Sequence, residues 1–266
     1  MKILLNWFTY GMVEDACALS LISEIQYAMA HNQQIMLSPV GGDALISRSR
    51  SVMMSKFLDT PGDVLFFLDH DIAFAPGAIV ETCRQALNRD AIVSGMYSVR
   101  GLGQGFAGRP LLKRADESFD VRLGTDQFIE AEWVSGGFVA FPKSVVVETL
   151  KAGKDAAESL VTGRGLANWQ EQKPWNLALT ESTYTDGKTK YHDFFRPMVV
   201  PERLIPGTAS YLSEDYAFSW RAREANPKRK QYFWAMPTLI HYGKYGYVMA
   251  EAAQKAVVEK PLLIRP

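Results

Sequence analysis

Two carboxylates one residue apart, Asp69 and Asp71, close a run of large apolar side chains, Val64-Leu65-Phe66-Phe67-Leu68. Carboxylate oxygens are hard ligands, and two on one side of a chain can hold a divalent cation, which in turn holds a diphosphate. A spacing of two lets both point one way while His70 points the other. Asp-x-Asp is also a turn or helix-cap sequence, and Pro76-Gly77 follows soon after, so the pair alone leaves both readings open. Other residues able to do chemistry lie far away in sequence. Glu214 and Asp215 follow Ser213, a good N-cap, where acidic residues serve either the helix macrodipole or proton transfer. His241 falls between an apolar strand pattern and Gly243, Arg50 shares a helix face with Ile46, Met53 and Phe57, and Gly136-Gly137 interrupts another strand pattern. An inward arginine is either an anion contact or a salt-bridged rim residue, and the glycine pair either admits a ligand close to the backbone or marks a bulge.

Positioning such residues requires a frame. Five consecutive apolar residues without polar alternation suit a strand covered on both faces, and ligands in such sheets sit beyond the carboxyl ends of strands. Lys2 to Leu5, Ile35 to Leu37 and Ala91 to Val93 read as further strands. Between them lie helical patterns: one with Ala18, Leu21, Ile22, Ile25, Ala28 and Met29 inward, one capped by Asp43 with Leu45, Ile46, Ser49, Val52, Met53, Phe57 and Leu58 inward, and one opened by Pro76. This strand-helix alternation predicts a doubly wound α/β half-sheet. Later come strands over Phe128 to Val134, Val139 to Phe141 and Tyr232 to Met236, a helix from Pro142 to Leu150, an insertion over about 151–206 containing Trp169 and Trp175, and a last helix from Val248 to Val258. The two tryptophans either stack on an acceptor or fill the insertion's own core, and the core is the expectation.

Composition narrows the function classes. Lys plus Arg and Asp plus Glu both number 29 in 266 residues, so no global basic footprint points to nucleic acid or an anionic membrane. Two local clusters remain: Arg221, Arg223, Lys228, Arg229 and Lys230, and a Gly-rich stretch carrying Arg100, Arg109, Lys113, Arg114 and Arg122. Bound phosphates or plain solvation explain either. Polar Asn6 comes too early for a signal-peptide core and no run approaches a membrane span, so a cytoplasmic protein is expected. Cys17 and Cys83 sit in helical patterns and are expected as buried thiols.

Taken in order, four stretches resemble glycosyltransferases of the GT-A fold, close to the family 2-like enzymes of bacteria and their phages. They are Ile46-Ser47-Arg48-Ser49-Arg50-Ser51; Phe67-Leu68-Asp69-His70-Asp71-Ile72; Trp133-Val134-Ser135-Gly136-Gly137-Phe138; and Ser213-Glu214-Asp215-Tyr216-Ala217-Phe218 with a terminal His241-Tyr242-Gly243. The resemblance implies an α/β fold, a single GT-A domain whose mostly parallel central sheet is flanked by helices. Residues 1–100 would form the nucleotide-sugar half, 101–250 the acceptor and catalytic half, and 251–266 a helix and tail. It implies that Asp69, Asp71 and His241 bind Mn²⁺ or Mg²⁺, with Asp71 the direct ligand and Asp69 reaching the ribose or a metal-bound water. Arg50, Gly136, Gly137 and Lys244 would contact the donor, a UDP-sugar by preference; Arg50 is followed by Ser51 where the family often has asparagine, which loosens its assignment. Asp215 would be the base of an inverting transfer, with Glu214 in reserve. Three readings follow: transfer to a glycan hydroxyl, a phage-type transfer to a hydroxymethylated DNA base, and a non-catalytic nucleotide-sugar-binding or interaction domain.

Overall fold

The structure is a computed structural model that describes residues 1–9, 12–99, 105–113, 121–161, 172–205, 207–243 and 246–248. Its elements in chain order are β1 (Lys2–Thr9), α1 (Asp15–Ala30), β2 (Gln34–Gly41), α2 (Ile46–Leu58), β3 (Val64–Asp69), β4 (Ile72–Phe74), α3 (Ala78–Arg89) and β5 (Ile92–Gly95). Next come β6 (Gly108–Pro110), β7 (Phe128–Val134), β8 (Phe138–Pro142), α4 (Lys143–Val161), α5 (Gln172–Leu177), β9 (Glu181–Thr183) and β10 (Lys190–His192). The described part closes with β11 (Met198–Pro201), β12 (Ala209–Leu212), α6 (Glu214–Ala225), β13 (Gln231–Trp234), β14 (Leu239–Tyr242) and β15 (Gly246–Val248).

An 8-stranded sheet runs in the order β2-β1-β3-β8-β5-β13-β7-β6. β1 is parallel to β2 and β3, and β5 to β13, whereas β8 lies antiparallel between β3 and β5 and β7 antiparallel between β13 and β6. All strands but β7 and β8 therefore point the same way, the α/β class with a mostly parallel central sheet that the sequence predicts. The unalternating run in β3 has its expected cause. Leu65 and Phe67 face one core with Val52, Met54 and Phe57 of α2 and Phe218 of α6, while Val64, Phe66 and Leu68 face the other with Leu21 of α1 and Ile79 of α3. Neither face meets water, so each of the five apolar residues Val64 to Leu68 contributes roughly 1.5–3 kcal/mol of burial.

Several sequence expectations shift. Ile22 and Met29, placed inward on α1, are exposed; Leu21 and Ala28 are buried as expected, and Cys17 and Glu24 join them on the inward face. That rotation follows from Glu24, whose carboxylate accepts backbone N–H bonds from Gly77 (2.6 Å) and Val80 (2.8 Å) and so caps the start of α3 from outside it. α3 begins at Ala78 after Gly77, whose φ of 88° suits glycine, and Pro76 precedes the helix rather than opening it. Leu45 and Ile46 are exposed at the head of α2, which starts at Ile46; Asp43 accepts the Leu45 N–H (3.0 Å) ahead of it. α4 continues well past Leu150, to Val161, and at Gly153 the missing Cβ leaves room for Leu179 of the insertion to seat against it. Val248, expected to open the last helix, instead closes the strand Gly246–Val248, and the rest of that expected helix lies outside the described residues. Cys17 and Cys83 are free and buried as expected. No helix among the described residues is long and apolar enough to cross a membrane.

Candidate functional site

Asp69 is the last residue of β3, and directly beneath it the side chain of Arg50 rises from α2. The Arg50 guanidinium donates to both Asp69 oxygens (2.9 and 3.2 Å) and to Glu214 Oε1 (3.0 Å) at the head of α6. Burial is the strongest influence on Arg50 and disfavours its charge, but the fields of Asp69, Asp215 and Glu214 together outweigh it and hold the guanidinium charged. Phe8 of β1 lies 5.6 Å from the guanidinium carbon. A planar fork that bridges two carboxylates from distant chain segments is a task for arginine and not for lysine.

The glycine pair between β7 and β8 serves this fork. A Cβ on Gly136 would lie 2.7 Å from Arg50 Cζ and 3.0 Å from Asp215 Cβ, and one on Gly137 would lie 2.7 Å from the Tyr97 hydroxyl and 2.9 Å from Asp69 Oδ2. The close approach expected there is therefore made by the protein's own side chains. Gly136 N–H also donates to Asp215 (3.0 Å), and Gly137 N–H to the Tyr97 hydroxyl (3.0 Å). Tyr97 is a site residue that sequence reading missed; its only signal was a tyrosine two residues beyond an apolar strand. Burial, ahead of the Asp69 charge, raises its phenol well above the usual range and keeps it neutral.

Asp71 has a different environment from Asp69. It is buried, and its Oδ2 lies 3.5 Å from His241 Nε2. The backbone arranges this meeting: β14 pairs antiparallel with β4, His241 stands opposite Ile72, and Tyr242 N–H donates to the Asp71 carbonyl (2.7 Å). His241 Nδ1 lies 2.8 Å from the Ser98 carbonyl, an acceptor, so Nδ1 carries a proton and Nε2 faces the carboxylate. Asp71 and His241 are thus brought together, whereas Asp69 turns to Arg50. Among the described residues no group of three or more His, Cys, Asp or Glu side chains is arranged to hold a metal ion, so the expected three ligands do not converge as one shell. His70, expected to point away, lines the same cavity as Asp69 and Asp71.

At the head of α6, Asp215 accepts three hydrogen bonds, from Gly136 N–H, the Ser213 hydroxyl (2.5 Å) and Tyr216 N–H (2.8 Å). Ser213 occupies the N-cap position but spends its hydroxyl on Asp215 and not on a helix N–H. Glu214 is mostly buried; that burial, then the Asp215 charge, raises its carboxyl above the ordinary value against the pull of Arg50. A cavity of about 380 Å³ opens beyond the carboxyl ends of β1 and β3, lined by Phe8, Thr9, Val40, Asp43, Asp71 and Glu214 among others. Its size suits a small-molecule ligand, and Phe8 and Val40 give it an apolar end. Asp43 is fixed there by Arg48, the largest influence lowering its carboxyl to about 2, with help from the Leu45 N–H and the Tyr184 hydroxyl.

The remaining expectations divide. Lys244 and Trp169, with Arg100 and Arg114, lie outside the described residues. Arg109 binds Glu132 and Glu202. In the second basic cluster Arg221 is fully buried, Arg223 approaches Glu132, Arg229 pairs with Asp90 and Glu148, and Lys230 pairs with Glu130, so four of its five cations are engaged within the chain. Trp175, expected in a core, is 55% exposed.

No family model matches the sequence, and no curated protein does. Among solved structures the chain is similar to A197 from STIV, with 13% identity over 91% of this chain and 86% of that one and a TM-score of 0.47. It is also similar to GalNAc-T7, solved with UDP, GalNAc and Mn²⁺, with 10% identity over 90% of this chain and 43% of that one and a TM-score of 0.47. For S. aureus TarS 1-349 the values are 11% identity, 56% and 49% coverage and a TM-score of 0.33. These are likenesses in the course of the chain; what the protein does is decided by its own side chains.

Proposed function

We propose that the protein is a glycosyltransferase that takes a sugar from a nucleotide-diphosphate donor, a UDP-sugar by preference, and transfers it with inversion to a sugar hydroxyl. One observation carries this reading: four carboxylates from three separate segments, Asp43, Asp69 with Asp71, and Glu214, meet around one cavity of about 380 Å³ at the carboxyl end of a mostly parallel sheet, with a buried arginine tying two of them together. The apolar walls at Phe8 and Val40 suit a nucleobase, and the Asp69 end suits the ribose and diphosphate.

Asp71 and His241 present a carboxylate oxygen and an imidazole nitrogen to each other across 3.5 Å, a donor set that would hold Mn²⁺ better than Mg²⁺, whose preferred ligands are all oxygen. Such a cation, when bound, stabilises the negative charge of the departing diphosphate. The chain's own residues do the rest. Arg50 holds Asp69 and Glu214 at fixed separation, and Asp215, which accepts from three donors, orients the head of α6. Proton removal from the acceptor hydroxyl then falls to the acidic pair, and the geometry favours Glu214 over Asp215, because Glu214 lines the cavity while Asp215 is committed to its donors. The internal ion pairs of the basic cluster weigh for a glycan hydroxyl over a DNA base as acceptor.

Thermal unfolding against a panel of nucleoside diphosphates and their sugars, with and without Mn²⁺, tests the reading. A ligand at about 100 times its dissociation constant stabilises by roughly 2.7 kcal/mol, worth several degrees in a chain of this size. The expected result is a shift for one nucleotide that needs Mn²⁺ and disappears in Asp71→Asn. In Glu214→Gln the shift is expected to persist while turnover collapses. A protein indifferent to every nucleotide is not a nucleotide-sugar transferase.

A further inference from the structure

Trp175 and Tyr211 are the two exposed aromatic side chains among the described residues, at 55% and 69%, and both belong to the region around β11 and β12. The register of that hairpin sorts its faces. Met198, Val200 and Leu212 point inward onto Trp133 and Trp220, while the cross-strand pairs Val199–Tyr211 and Pro201–Ala209 are exposed and apolar. Apolar side chains on the solvent face of a ribbon oppose the usual alternation. α5, which carries Trp175, runs alongside β11: the Asn176 side chain donates to the Val199 carbonyl (2.9 Å).

The support beneath this patch is rigid. Arg221, fully buried on α6, donates to the carbonyls of Asn176 (2.8 Å), Phe194 (3.0 Å) and Arg196 (2.8 Å). Arg196 in turn donates to the carbonyl of Trp175 itself (2.9 Å) and pairs with Asp193. The tryptophan backbone is therefore fastened, through two arginines, to the helix that carries Glu214. Proximity follows from the chain as well: Tyr211 precedes Glu214 by three residues, so their Cα atoms lie within about 11 Å.

The geometry points to a carbohydrate-binding platform formed by Trp175, Val199 and Tyr211, on which a glycan acceptor lies as its terminal hydroxyl enters the site. Aromatic faces carry negative charge in their quadrupole and meet the weakly positive C–H faces of sugar rings, while the hydroxyls stay at a polar rim. Charge excludes other occupants: the neighbouring cations are spent on Asp193, Glu224 and Glu202, which leaves little for an anionic polymer or a lipid headgroup. The two aromatic side chains, of up to about 250 Å² each, offer about 300 Å² at these exposures, a face matched to one or two sugar rings and small beside the roughly 800 Å² per partner of a standard protein interface. The acceptor role rests on the transferase reading above; the platform itself does not.

Isothermal titration of the full chain with cellotetraose, maltotetraose and chitotetraose, followed also by tryptophan fluorescence, tests the platform. At least one is expected to bind, and Trp175→Ala and Tyr211→Ala are each expected to weaken it tenfold or more, with unchanged unfolding midpoints and unchanged nucleotide stabilisation. Failure of all three to bind, equal binding by the variants, or a concentration-dependent dimer abolished by the same substitutions would each overturn the platform. Glycan binding that depends on Trp175 in a protein blind to all nucleotides would keep the platform and remove the transferase reading.

Discussion

Replacing Gly136 by alanine adds one carbon atom to a place already filled by Arg50. The new Cβ would stand 2.7 Å from Arg50 Cζ and nearer still to Nη1, with Asp215 Cβ at 3.0 Å on another side, so the guanidinium has to leave. Leaving breaks its bonds to Asp69 and Glu214 and strands charges in a buried setting. Breaking a buried pair by removing one partner costs about 3–5 kcal/mol, and overpacking alone about 1–3 kcal/mol, so a loss of about 3 kcal/mol is expected. Urea unfolding reads this directly: with a slope near the upper end of the usual range, about 3 kcal/mol/M, the midpoint should fall by about 1 M. The sharper test is a double-mutant cycle. In an Arg50→Met background the flexible methionine yields to the added methyl, and Gly136→Ala should then be nearly silent, giving a coupling of about 2 kcal/mol or more. Equal effects of Gly136→Ala in both backgrounds would refute the claim that the glycine exists to seat the arginine.

Two further perturbations test the frame. Burial pushes the Glu24 carboxyl from 4.5 up to about 7, against the backbone N–H groups of Val80, Gly77 and Ile79. The folded chain therefore keeps a proton between those values that the unfolded chain has released, and this contribution is complete below pH 4.5 and gone above pH 7. About 3 kcal/mol of stability is at stake, and Glu24→Gln should flatten that part of the urea-midpoint profile between pH 5 and pH 8; an unchanged slope would mean the carboxylate is ionised throughout. Gly153→Ala lies inside α4, where helix propensity alone promises a gain near 1 kcal/mol, yet its Cβ would meet Leu179 Cδ1 at 2.6 Å. A lower thermal midpoint is expected, and a higher one would show that Leu179 yields freely.

Much of the site was legible because its residues carry local signatures. The abrupt end of an apolar run at Asp69, the serine before Glu214 and Asp215, and the glycine pair at 136 and 137 each mark a strand end, a helix head or a close approach, and each stands where those signals put it. The errors share one cause. Which face of α1 turns inward was decided by Glu24 reaching the head of α3, a contact 53 residues long in sequence, and periodicity weighs only apolar side chains. The same blindness hid Tyr97 and misplaced Trp175, whose surroundings are set by segments far along the chain.

The sequence by itself determined the α/β alternation, the strand buried on both faces and the residue types available for chemistry, because these follow from periodicity and side-chain character within a few residues. Only the tertiary structure decided which charged groups meet. It gave Asp69 to Arg50, Asp71 to His241 and Asp215 to Gly136, and it spent most of the basic cluster on internal carboxylates. Coulomb and hydrogen-bond partners are chosen by distance in space, and that distance is fixed by sheet order and helix packing, which bring residues 50, 69 and 214 into one contact although the chain holds them far apart.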